Sequence, residues 1–377
     1  MRRNPERSRA VLVALDIGRA SHAEDRADEA TRLVRSAGAD VMQVIRGRRD
    51  RPDAATFAGS GKVDEIKQAM AEHRADIVVF DTQLTASQIR NLELALAAGN
   101  SAVQVYDRTD IILNIFAQRA QSHEGKLQVE LARLEHLATR LVRGWTHLER
   151  QRGSLGKTGG PGEKQIELDR RLIRDKVKKL KERLKKVGKV RATQRAGRAR
   201  SGVLRVAIVG YTNAGKSTLF NRITRADKYV ADKLFATLDT TTRRVYLGEG
   251  ANITLSDTVG FIRDLPHTLI EAFKATLEES VQADLLLHVV DSANPQYHEQ
   301  IDSVNEVLAE IGASEVPQLL VYNQVDRSGL EPEIVRDSHD KILNIKVSAF
   351  TGAGIEALRE VLAEAARDAS RPLQTAA

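Results

Sequence analysis

Short runs of apolar residues recur through the first 105 residues of this chain, and each has the length of a buried strand. The amphipathic stretches between them carry the three- and four-residue spacing of helices. The predicted strands are Val11–Leu15, Val41–Ile45, Ile77–Phe80 and Val103–Val105, and the predicted helices are Asp25–Ala37, Val63–Glu72 and Ser87–Ala98. This alternation predicts a small parallel α/β domain.

From Asp107 the pattern becomes that of two long helices. One apolar seam comprises Leu127, Leu131, Leu134, Ala138, Leu141, Trp145 and Leu148, and the other comprises Ile173, Val177, Leu180, Leu184 and Val187. Because the glycine-rich stretch Gly153–Gly162 separates the seams, the simplest arrangement is an antiparallel helical hairpin. The stretch RATQRAGRARSG after Val190 has no apolar face and predicts a linker.

The last third returns to alternating strands and helices. Its predicted strands are 206–209, 253–255, 285–290, 319–322 and 345–347, followed by a helix at Ile355–Ala365. We therefore expect a doubly wound, mostly parallel sheet here. The predicted division is an N-terminal α/β domain at 1–106, a hairpin at 107–190, a linker at 191–202, a second α/β domain at 203–369 and a tail at 370–377.

The stretch Gly210–Ser217 (GYTNAGKS) joins the strand at 206–209 to a helix expected near Thr218. This is the G-x-x-x-x-G-K-[ST] phosphate-binding loop in the strand–loop–helix context that it requires. Backbone N–H groups and the helix N-terminus favour phosphate, Lys216 can reach the β- and γ-phosphates, and the Ser217 hydroxyl can ligate Mg²⁺. The alternative, a chance glycine-rich turn, does not explain the flanking strand and helix.

Two further strand ends carry nucleotide chemistry. Asp257–Gly260 (DTVG) follows the run at 253–255 and offers a carboxylate for Mg²⁺ and a backbone N–H for the γ-phosphate. Asp326 follows the run at 319–322 and can accept hydrogen bonds from the ring N–H and exocyclic amine of guanine. Adenine lacks this donor pair, so the site favours guanine. Ser348–Ala349 can present backbone N–H groups to the guanine oxygen, and the motifs together predict a P-loop GTPase domain.

Two residues bear on the hydrolysis rate. Phe261 stands where Ras-like GTPases have a glutamine that orients water, so slow intrinsic hydrolysis is expected unless a partner or an ion assists. Asn213 lies where related GTPases hold K⁺ beside the phosphates, which makes K⁺ a second candidate cofactor after Mg²⁺. The alternative is that Asn213 only supports the loop conformation. Equal turnover in K⁺ and Na⁺ would favour that alternative.

The composition and charge of the chain restrict its chemistry, its cellular compartment and its binding partners. The 377 residues contain no cysteine, which excludes disulfides and thiolate metal sites and suits a reducing cytosol. The net charge of +7 is uneven: residues 163–200 carry 16 Lys/Arg against 5 Asp/Glu, and the rest of the chain carries 42 against 46. A basic segment of this kind predicts a polyanionic partner such as nucleic acid, and a solvated helix face is the alternative.

A second glycine–lysine stretch, Gly59–Lys62 (GSGK), resembles a phosphate loop. It has no hydroxyl residue after the lysine and no good strand directly before it. We interpret it as a turn with a basic residue that opens a helix, and nucleotide binding there is the alternative.

Five further stretches of the chain are distinctive: FATLD (Phe235–Asp239), DTVGFIRDLPH (Asp257–His267), IFAQRA, EGKLQVELARLEHL and GGPGEKQIELDRR. Together they resemble the HflX family of ribosome-associated GTPases, which is related to Era and Obg. The resemblance implies a cytoplasmic stress-response GTPase that binds the large ribosomal subunit and, with GTP bound, splits stalled or idle ribosomes; loose membrane association is the alternative location. It implies that the hairpin loop contacts rRNA, whereas a plain connector is the alternative. We expect a monomer.

The resemblance also implies roles for individual residues. Thr237 would ligate Mg²⁺ in the GTP state, within a first switch at Phe235–Asp239. The expected metal ligands are Ser217, Thr237 and Asp257, and the expected catalytic residues are Lys216, Thr237, Gly260 and Asn213. The expected GTP contacts are Gly210, Tyr211, Thr212, Asn213, Ala214, Gly215, Lys216, Ser217, Thr218, Phe235, Ala236, Thr237, Leu238, Asp239, Asp257, Thr258, Val259, Gly260, Asn323, Gln324, Val325, Asp326, Ser348, Ala349 and Phe350.

The chain departs from the family pattern at three positions. Gln324 replaces a lysine whose stem lies along the base, so weaker binding with guanine preference retained is expected. Thr240 replaces a common proline, which is expected to loosen the first switch, and Lys164 replaces a usual threonine. Another class of function also remains open, an ATP-powered RNA-binding or helicase-like protein with regulatory GTP binding. Displacement of GTP by ATP at comparable concentration would favour it.

Overall fold

The computed structural model describes residues 8–18, 23–97, 103–143, 161–199, 203–226, 234–248 and 251–370. It divides into two compact units. The first comprises Met1–Gln118 with Val129–Lys181, and the second comprises Arg119–Gln128 with Glu182–Ala377.

The first unit contains a four-stranded parallel sheet in the order β2-β1-β3-β4. Its strands are β1 Ser8–Ile17, β2 Ala39–Arg49, β3 Ile77–Phe80 and β4 Gln104–Tyr106, and its helices are α1 Ala23–Ser36, α2 Ser60–His73, α3 Ala86–Leu96 and α4 Arg108–Arg119. Apolar residues of β1 and β3 pack against α2 and α3 in one buried core. The predicted small parallel α/β domain is confirmed.

A buried ion-pair group lies in this unit at the end of β3. Arg108 is paired with Asp81, at 2.5 Å, and with Glu29 of α1. Because all three side chains are largely removed from water, the charges compensate one another within the fold. This end of the sheet is therefore occupied by the chain's own side chains.

Two long helices follow, α5 His123–Arg143 and α6 Pro161–Ala199. On α6 the predicted seam residues are less exposed than the residues between them, with Leu180 fully buried, as an amphipathic helix requires. Lys181 of α6 pairs with Glu135 of α5 at 2.8 Å. Trp145, Leu148 and residues 153–160 of the glycine-rich stretch lie outside the described residues.

Helix α6 extends beyond its predicted bounds in both directions. It begins at Pro161, inside the stretch expected to be a loop, because proline is well suited to the first helical position. It also continues to Ala199, so residues 191–199 of the predicted linker are helical. The lack of an apolar face there does not prevent helix formation, since alanine, arginine and glutamine have high helix propensity.

The second unit contains a seven-stranded sheet in the order β10-β11-β9-β8-β5-β7-β6. Its strands are β5 Leu204–Gly210, β6 Thr241–Gly248, β7 Ala251–Asp257, β8 Leu285–Asp291, β9 Gln318–Asn323, β10 Ile334–Arg336 and β11 Ile342–Lys346. Its further helices are α7 Lys216–Thr224, α8 His267–Ala272, α9 Lys274–Val281, α10 Tyr297–Glu310, α11 Val325–Ser328 and α12 Ile355–Ser370. The five central strands are parallel, and the edge strands β6 and β10 are antiparallel.

This sheet confirms the predicted doubly wound, mostly parallel architecture. The five predicted strands are its five parallel strands, whereas β6 and β10 escaped prediction. Edge strands expose polar side chains, as Arg243 and Arg244 of β6 do, and so lack a continuous apolar run. Among the described residues, no helix is both long enough and apolar enough to cross a membrane.

Candidate nucleotide-binding site

The carboxyl ends of β5, β7 and β9 carry the three predicted nucleotide motifs of the second unit. In open α/β sheets, ligands bind at this edge, where strand order changes direction. The order β8-β5-β7 places β5 between two strands that come later in the sequence. The loop after β5 therefore lies at such a switch point.

The loop Gly210–Ser217 leads directly from β5 into α7, which begins at Lys216. Gly215 precedes the helix with a φ of 91°, a left-handed conformation that favours glycine. A Cβ at this position would lie 2.2 Å from Nδ2 of Asn323, so the close approach of these two segments also requires glycine. Sequence reasoning anticipated the loop but not the contact with Asn323.

Lys216 is buried in the loop, with 6% of its surface exposed. Its ammonium group donates a hydrogen bond of 2.6 Å to the Tyr211 carbonyl, which directs Nζ along the loop. Burial lowers the pKa of Lys216 to about 8, and the nearby Asp257 carboxylate opposes that shift. A bound phosphate would compensate this desolvated cation, which is what a phosphate-binding lysine requires.

Three oxygen-bearing side chains meet beside Lys216. The hydroxyls of Ser217 and Thr237 lie 2.7 Å apart, and each is 2.8 Å from Oδ2 of Asp257. Hard oxygen donors are the ligands that Mg²⁺ prefers, and adjacent ligands of an octahedral ion lie about 2.9 Å apart. The chemistry of these groups and the spacing of the two hydroxyls therefore fit Mg²⁺, the metal that GTPases generally use.

Gly260 and Phe261 lie against the phosphate loop. A Cβ at Gly260 would lie 2.9 Å from Nζ of Lys216, so only glycine allows this approach without a shift. Phe261 donates its N–H to the Gly210 carbonyl at 3.1 Å and accepts from the N–H of Thr212 at 2.7 Å. Its ring is 1% exposed. The side chain therefore packs in the core and cannot orient a water molecule.

Asn323, at the end of β9, joins two parts of the site. Its Nδ2 donates to the Ala214 carbonyl at 2.8 Å, and its Oδ1 accepts from the N–H of Ala349 at 2.9 Å. This buried amide thus fixes the phosphate loop against the segment that follows β11. The sequence predicted a nucleotide contact at Asn323, and the structure gives it this joining role.

The other members of the base-reading motif follow directly. Oδ1 of Asp326 accepts a hydrogen bond of 2.6 Å from the Ser348 hydroxyl, which orients the carboxylate. Gln324 donates to the Asn213 carbonyl at 3.2 Å and accepts from Arg327. Val325 is buried and donates its N–H to the Val347 carbonyl. The structure thus brings together Asp326 and Ser348, both predicted to contact guanine.

Sequence reasoning missed Arg222, on the second turn of α7. Its guanidinium donates to the carbonyls of Ala349 and Phe350, which holds the segment after β11 in place. The Phe350 side chain is 77% exposed beside this segment. An arginine within a helix gives no sequence signal of such a role.

Several predicted contacts turn their side chains into the core. Phe235, Leu238, Thr258 and Val259 are all buried, so only their backbones can face a nucleotide. Asn213 has a φ of 65° and Phe235 one of 53°, conformations in which the backbone turns sharply. Tyr211, Ala214 and Thr218 lie within the loop and α7, and Ala236 lies beside Thr237. The Asp239 carboxylate contacts the start of α5.

Comparison with known proteins places this site in a family. Family models match residues 24–117 (GTP-binding GTPase N-terminal), 119–198 (GTP-binding GTPase Middle Region) and 205–324 (50S ribosome-binding GTPase). GTPase HflX of Escherichia coli (strain K12) is 52% identical over 356 residues, covering 94% of this chain and 82% of that protein. GTPase HflX of Magnetococcus marinus is 50% identical over 342 residues, covering 90% and 77%.

The solved structure of SsGBP in complex with GDP covers 97% of this chain and 100% of that chain. Its TM-score is 0.51 at 24% identity, a level that shows a shared fold. The resemblance inferred from the switch and hairpin motifs is confirmed by the relatives at 50% identity and above. The chain belongs to the HflX family of GTPases, and the reaction of its nucleotide site is GTP hydrolysis.

Proposed function

We propose that this chain binds the large ribosomal subunit in the cytoplasm and, with GTP bound, promotes dissociation of stalled or idle ribosomes. The observation that carries the proposal is the match of residues 205–324 to a 50S ribosome-binding GTPase model. The excess of 11 positive charges in residues 163–200 supports it, since such a segment attracts the phosphate backbone of rRNA.

The proposed roles in GTP binding follow the geometry of the second unit. Lys216 contacts the β- and γ-phosphates, and the Gly260 N–H meets the γ-phosphate. Asp326 accepts the two guanine donors, while Asn323 fixes the phosphate loop beside the base. The stem of Gln324 and the exposed ring of Phe350 lie along the base.

Ser217, Thr237 and Asp257 are the proposed Mg²⁺ ligands, with Asp257 acting through water. When bound there, the ion would neutralise charge on the β- and γ-phosphates. A water oxygen attacks the γ-phosphorus and its proton passes to a γ-phosphate oxygen, the bond to the β–γ bridging oxygen breaks, and GDP and phosphate leave. Lys216 stabilises the charge that develops on the bridging oxygen. Because Phe261 is buried, slow turnover without a ribosome is part of the proposal.

K⁺ beside Asn213 is a separate part of the proposal. Asn213 lies in the phosphate loop with a φ of 65°, and its backbone carbonyl accepts a hydrogen bond from Gln324. Turnover measured in K⁺ and in Na⁺, with ionic strength held equal, tests it. Faster turnover in K⁺ would support the site, and equal rates would leave Asn213 with a structural role only.

The division into an α/β domain at 1–106, a hairpin at 107–190, a linker at 191–202, a GTPase domain at 203–369 and a tail at 370–377 belongs to the proposal, as does action as a monomer.

The ribosome function is tested by sedimentation with 30S, 50S and 70S particles in GDP, GTP and a non-hydrolysable GTP analogue. We expect co-sedimentation with 50S particles and loss of the 70S peak in the analogue. The Lys216→Ala variant should lose both effects, whereas Lys62→Ala should keep them. Equal ribosome binding in every nucleotide state would contradict the proposal.

A further inference from the structure

Asp239 ties the first switch to the start of α5. Its Oδ2 accepts hydrogen bonds from the backbone N–H groups of Gln121 and Ser122, each at 2.8 Å. Its Oδ1 accepts from the Ser122 hydroxyl at 2.5 Å. A carboxylate at a helix N-terminus also interacts favourably with the helix dipole. These groups lie 117 and 118 residues apart in sequence but belong to the same compact unit.

The receiving segment is shaped to admit this carboxylate. The Ser122 hydroxyl accepts from the N–H of Gly125 at 2.8 Å and so caps the first turn of α5. A Cβ at Gly125 would lie 2.2 Å from Oδ1 of Asp239. Any larger residue at position 125 would therefore displace the carboxylate, although the helix itself would accept it. We call the contact of Asp239 with residues 121–125 the switch clasp.

A second contact lies one residue beyond the clasp. The Thr240 hydroxyl donates to the Thr276 carbonyl at 3.1 Å, and the Thr276 hydroxyl donates to the Gln128 side chain at 2.8 Å. Proline, common at position 240 in the family, could not donate the first of these bonds. Thr240 was expected to loosen the switch, and here it adds a contact between the switch, α9 and the first turns of α5.

Thr237 and Asp239 are separated by a single residue. Thr237 lies at the oxygen cluster with Ser217 and Asp257, which is its place when Mg²⁺ and the γ-phosphate are bound. Two residues of chain span about 7 Å at most. While the clasp holds Asp239, Thr237 stays within that distance of Asp239, so a withdrawal of Thr237 beyond this reach requires the clasp to open.

We propose that residues 121–125 are a positioning element for the first switch, so that the clasp forms with GTP and opens with GDP. The inference rests on the proposed role of Thr237 as a magnesium ligand. Because coupling between two sites is reciprocal, the clasp raises the affinity for GTP over GDP by the same factor by which GTP closes the clasp. The state of the phosphate is thereby conveyed to α5, whose later residues belong to the other compact unit.

The variant Gly125→Ala tests this most directly, because it blocks the clasp without removing any hydrogen-bonding group. Affinities for GDP and for a non-hydrolysable GTP analogue are measured by calorimetry with Mg²⁺ present. We expect the analogue affinity to fall about tenfold, within the usual range of coupling between sites, and the GDP affinity to stay unchanged. Ser122→Ala should lower the analogue affinity by a smaller factor.

The matched control is Gly188→Ala in α6, where an added Cβ meets nothing within 4 Å. It makes the same chemical change in a helix and should leave the ratio of the two affinities unchanged. Amide exchange supplies a second readout: the N–H groups of residues 121 and 122 should be better protected in the analogue than in GDP.

The outcomes separate the inference from its premise. If Thr237→Ala lowers analogue affinity but Gly125→Ala and Ser122→Ala leave the affinity ratio at its original value, the clasp is a static helix cap and the inference is wrong. If Thr237→Ala itself leaves analogue affinity unchanged, the metal-ligand role is wrong and the inference fails with it. A lowered ratio in Gly125→Ala, absent in Gly188→Ala, supports the clasp.

Discussion

Helices α2 and α7 begin in the same way, but the groups that surround their first turns differ in chemistry. Gly59 precedes α2 with a φ of 80°, and Gly215 precedes α7 with a φ of 91°. A lysine follows each glycine closely, and each helix packs on a parallel sheet. The N–H groups at both helix starts could meet an anion. The sequence pattern around Gly59 and Gly215 is therefore similar at short range.

The difference lies in what the neighbouring segments supply. Lys62 donates to the Arg46 carbonyl at 2.8 Å and pairs with Glu65 at 2.6 Å. A Cβ at Gly59 would lie 2.2 Å from the guanidinium of Arg49, so an arginine fills the space beside that glycine. Other residues of the chain therefore already pair with Lys62 and fill the space beside Gly59.

At the second helix the neighbours supply groups suited to a ligand. Strand β7 brings Asp257, and the first switch brings Thr237, to the hydroxyl of Ser217. Strand β9 brings Asn323 to the loop carbonyl of Ala214. A glycine–lysine loop becomes a nucleotide site through these distant residues, and the local sequence alone does not decide it.

The largest expected effect is that of Lys216→Ala. Removing the one buried lysine of the loop should lower GTP and GDP affinity at least about a hundredfold, since charge-assisted bonds to phosphate are strong. Fluorescent nucleotide titration measures it. A similar loss of nucleotide affinity in Lys62→Ala would contradict the distinction between the two helix starts. An exposed pair such as Lys62–Glu65 contributes only about 0–1 kcal/mol to stability, so that variant should bind normally.

Phe261→Gln should fail to create a faster enzyme. The new amide would enter the buried position behind the Tyr211–Phe261 bridge, away from the phosphates. Losing the packed ring should destabilise the fold by about 3 kcal/mol, visible as a lower Tm. Single-turnover hydrolysis at a temperature where the variant is folded should match the unmodified protein. A tenfold faster rate would show that this side chain can turn toward the nucleotide.

Asp326→Asn should remove the preference for guanine. The amide would present a donor where guanine also donates, which should cost about 2 kcal/mol, or roughly thirtyfold in affinity. Competition of ATP against labelled GDP measures the preference before and after the change. If ATP already competes equally in the unmodified protein, the assignment of Asp326 as the residue that recognises guanine is wrong.

Gln324→Lys should give the smallest effect. A lysine stem has four methylenes where glutamine has two, so it lies further along the base. At about 0.8 kcal/mol for each buried methylene, the gain is about 1.6 kcal/mol, or roughly fifteenfold in affinity. The guanine preference should persist because Asp326 is unchanged. Weaker binding would show that the hydrogen bond from Gln324 to the Asn213 carbonyl matters more than the stem.

Sequence patterns were most informative where residues are buried. The parallel strands of both sheets appear as apolar runs. The phosphate loop can be recognised because phosphate binding requires its glycines, lysine and serine at a set spacing. Strand β6 was not predicted because an edge strand carries arginines on its exposed face. The helix at residues 191–199 was not predicted because a helix without an apolar face has no periodic pattern of apolar residues in its sequence.

Long-range contacts were beyond prediction for a different reason. Arg222, the joining role of Asn323 and the clasp of Asp239 each depend on which segments the fold brings together. The residues next to Asp239 in sequence do not distinguish it from any other polar residue of a switch. Gly125 looks in the sequence like a glycine that merely lowers helix propensity. Their roles become visible only in the structure, where a Cβ added at Gly125 would lie 2.2 Å from Oδ1 of Asp239.

The most direct test of the account is a calorimetric titration of the full chain with a non-hydrolysable GTP analogue and Mg²⁺, repeated on Lys216→Ala and Lys62→Ala. The account predicts one binding event per chain in the unmodified protein and in Lys62→Ala, and none in Lys216→Ala. A full binding event that survives in Lys216→Ala, or disappears in Lys62→Ala, would contradict it.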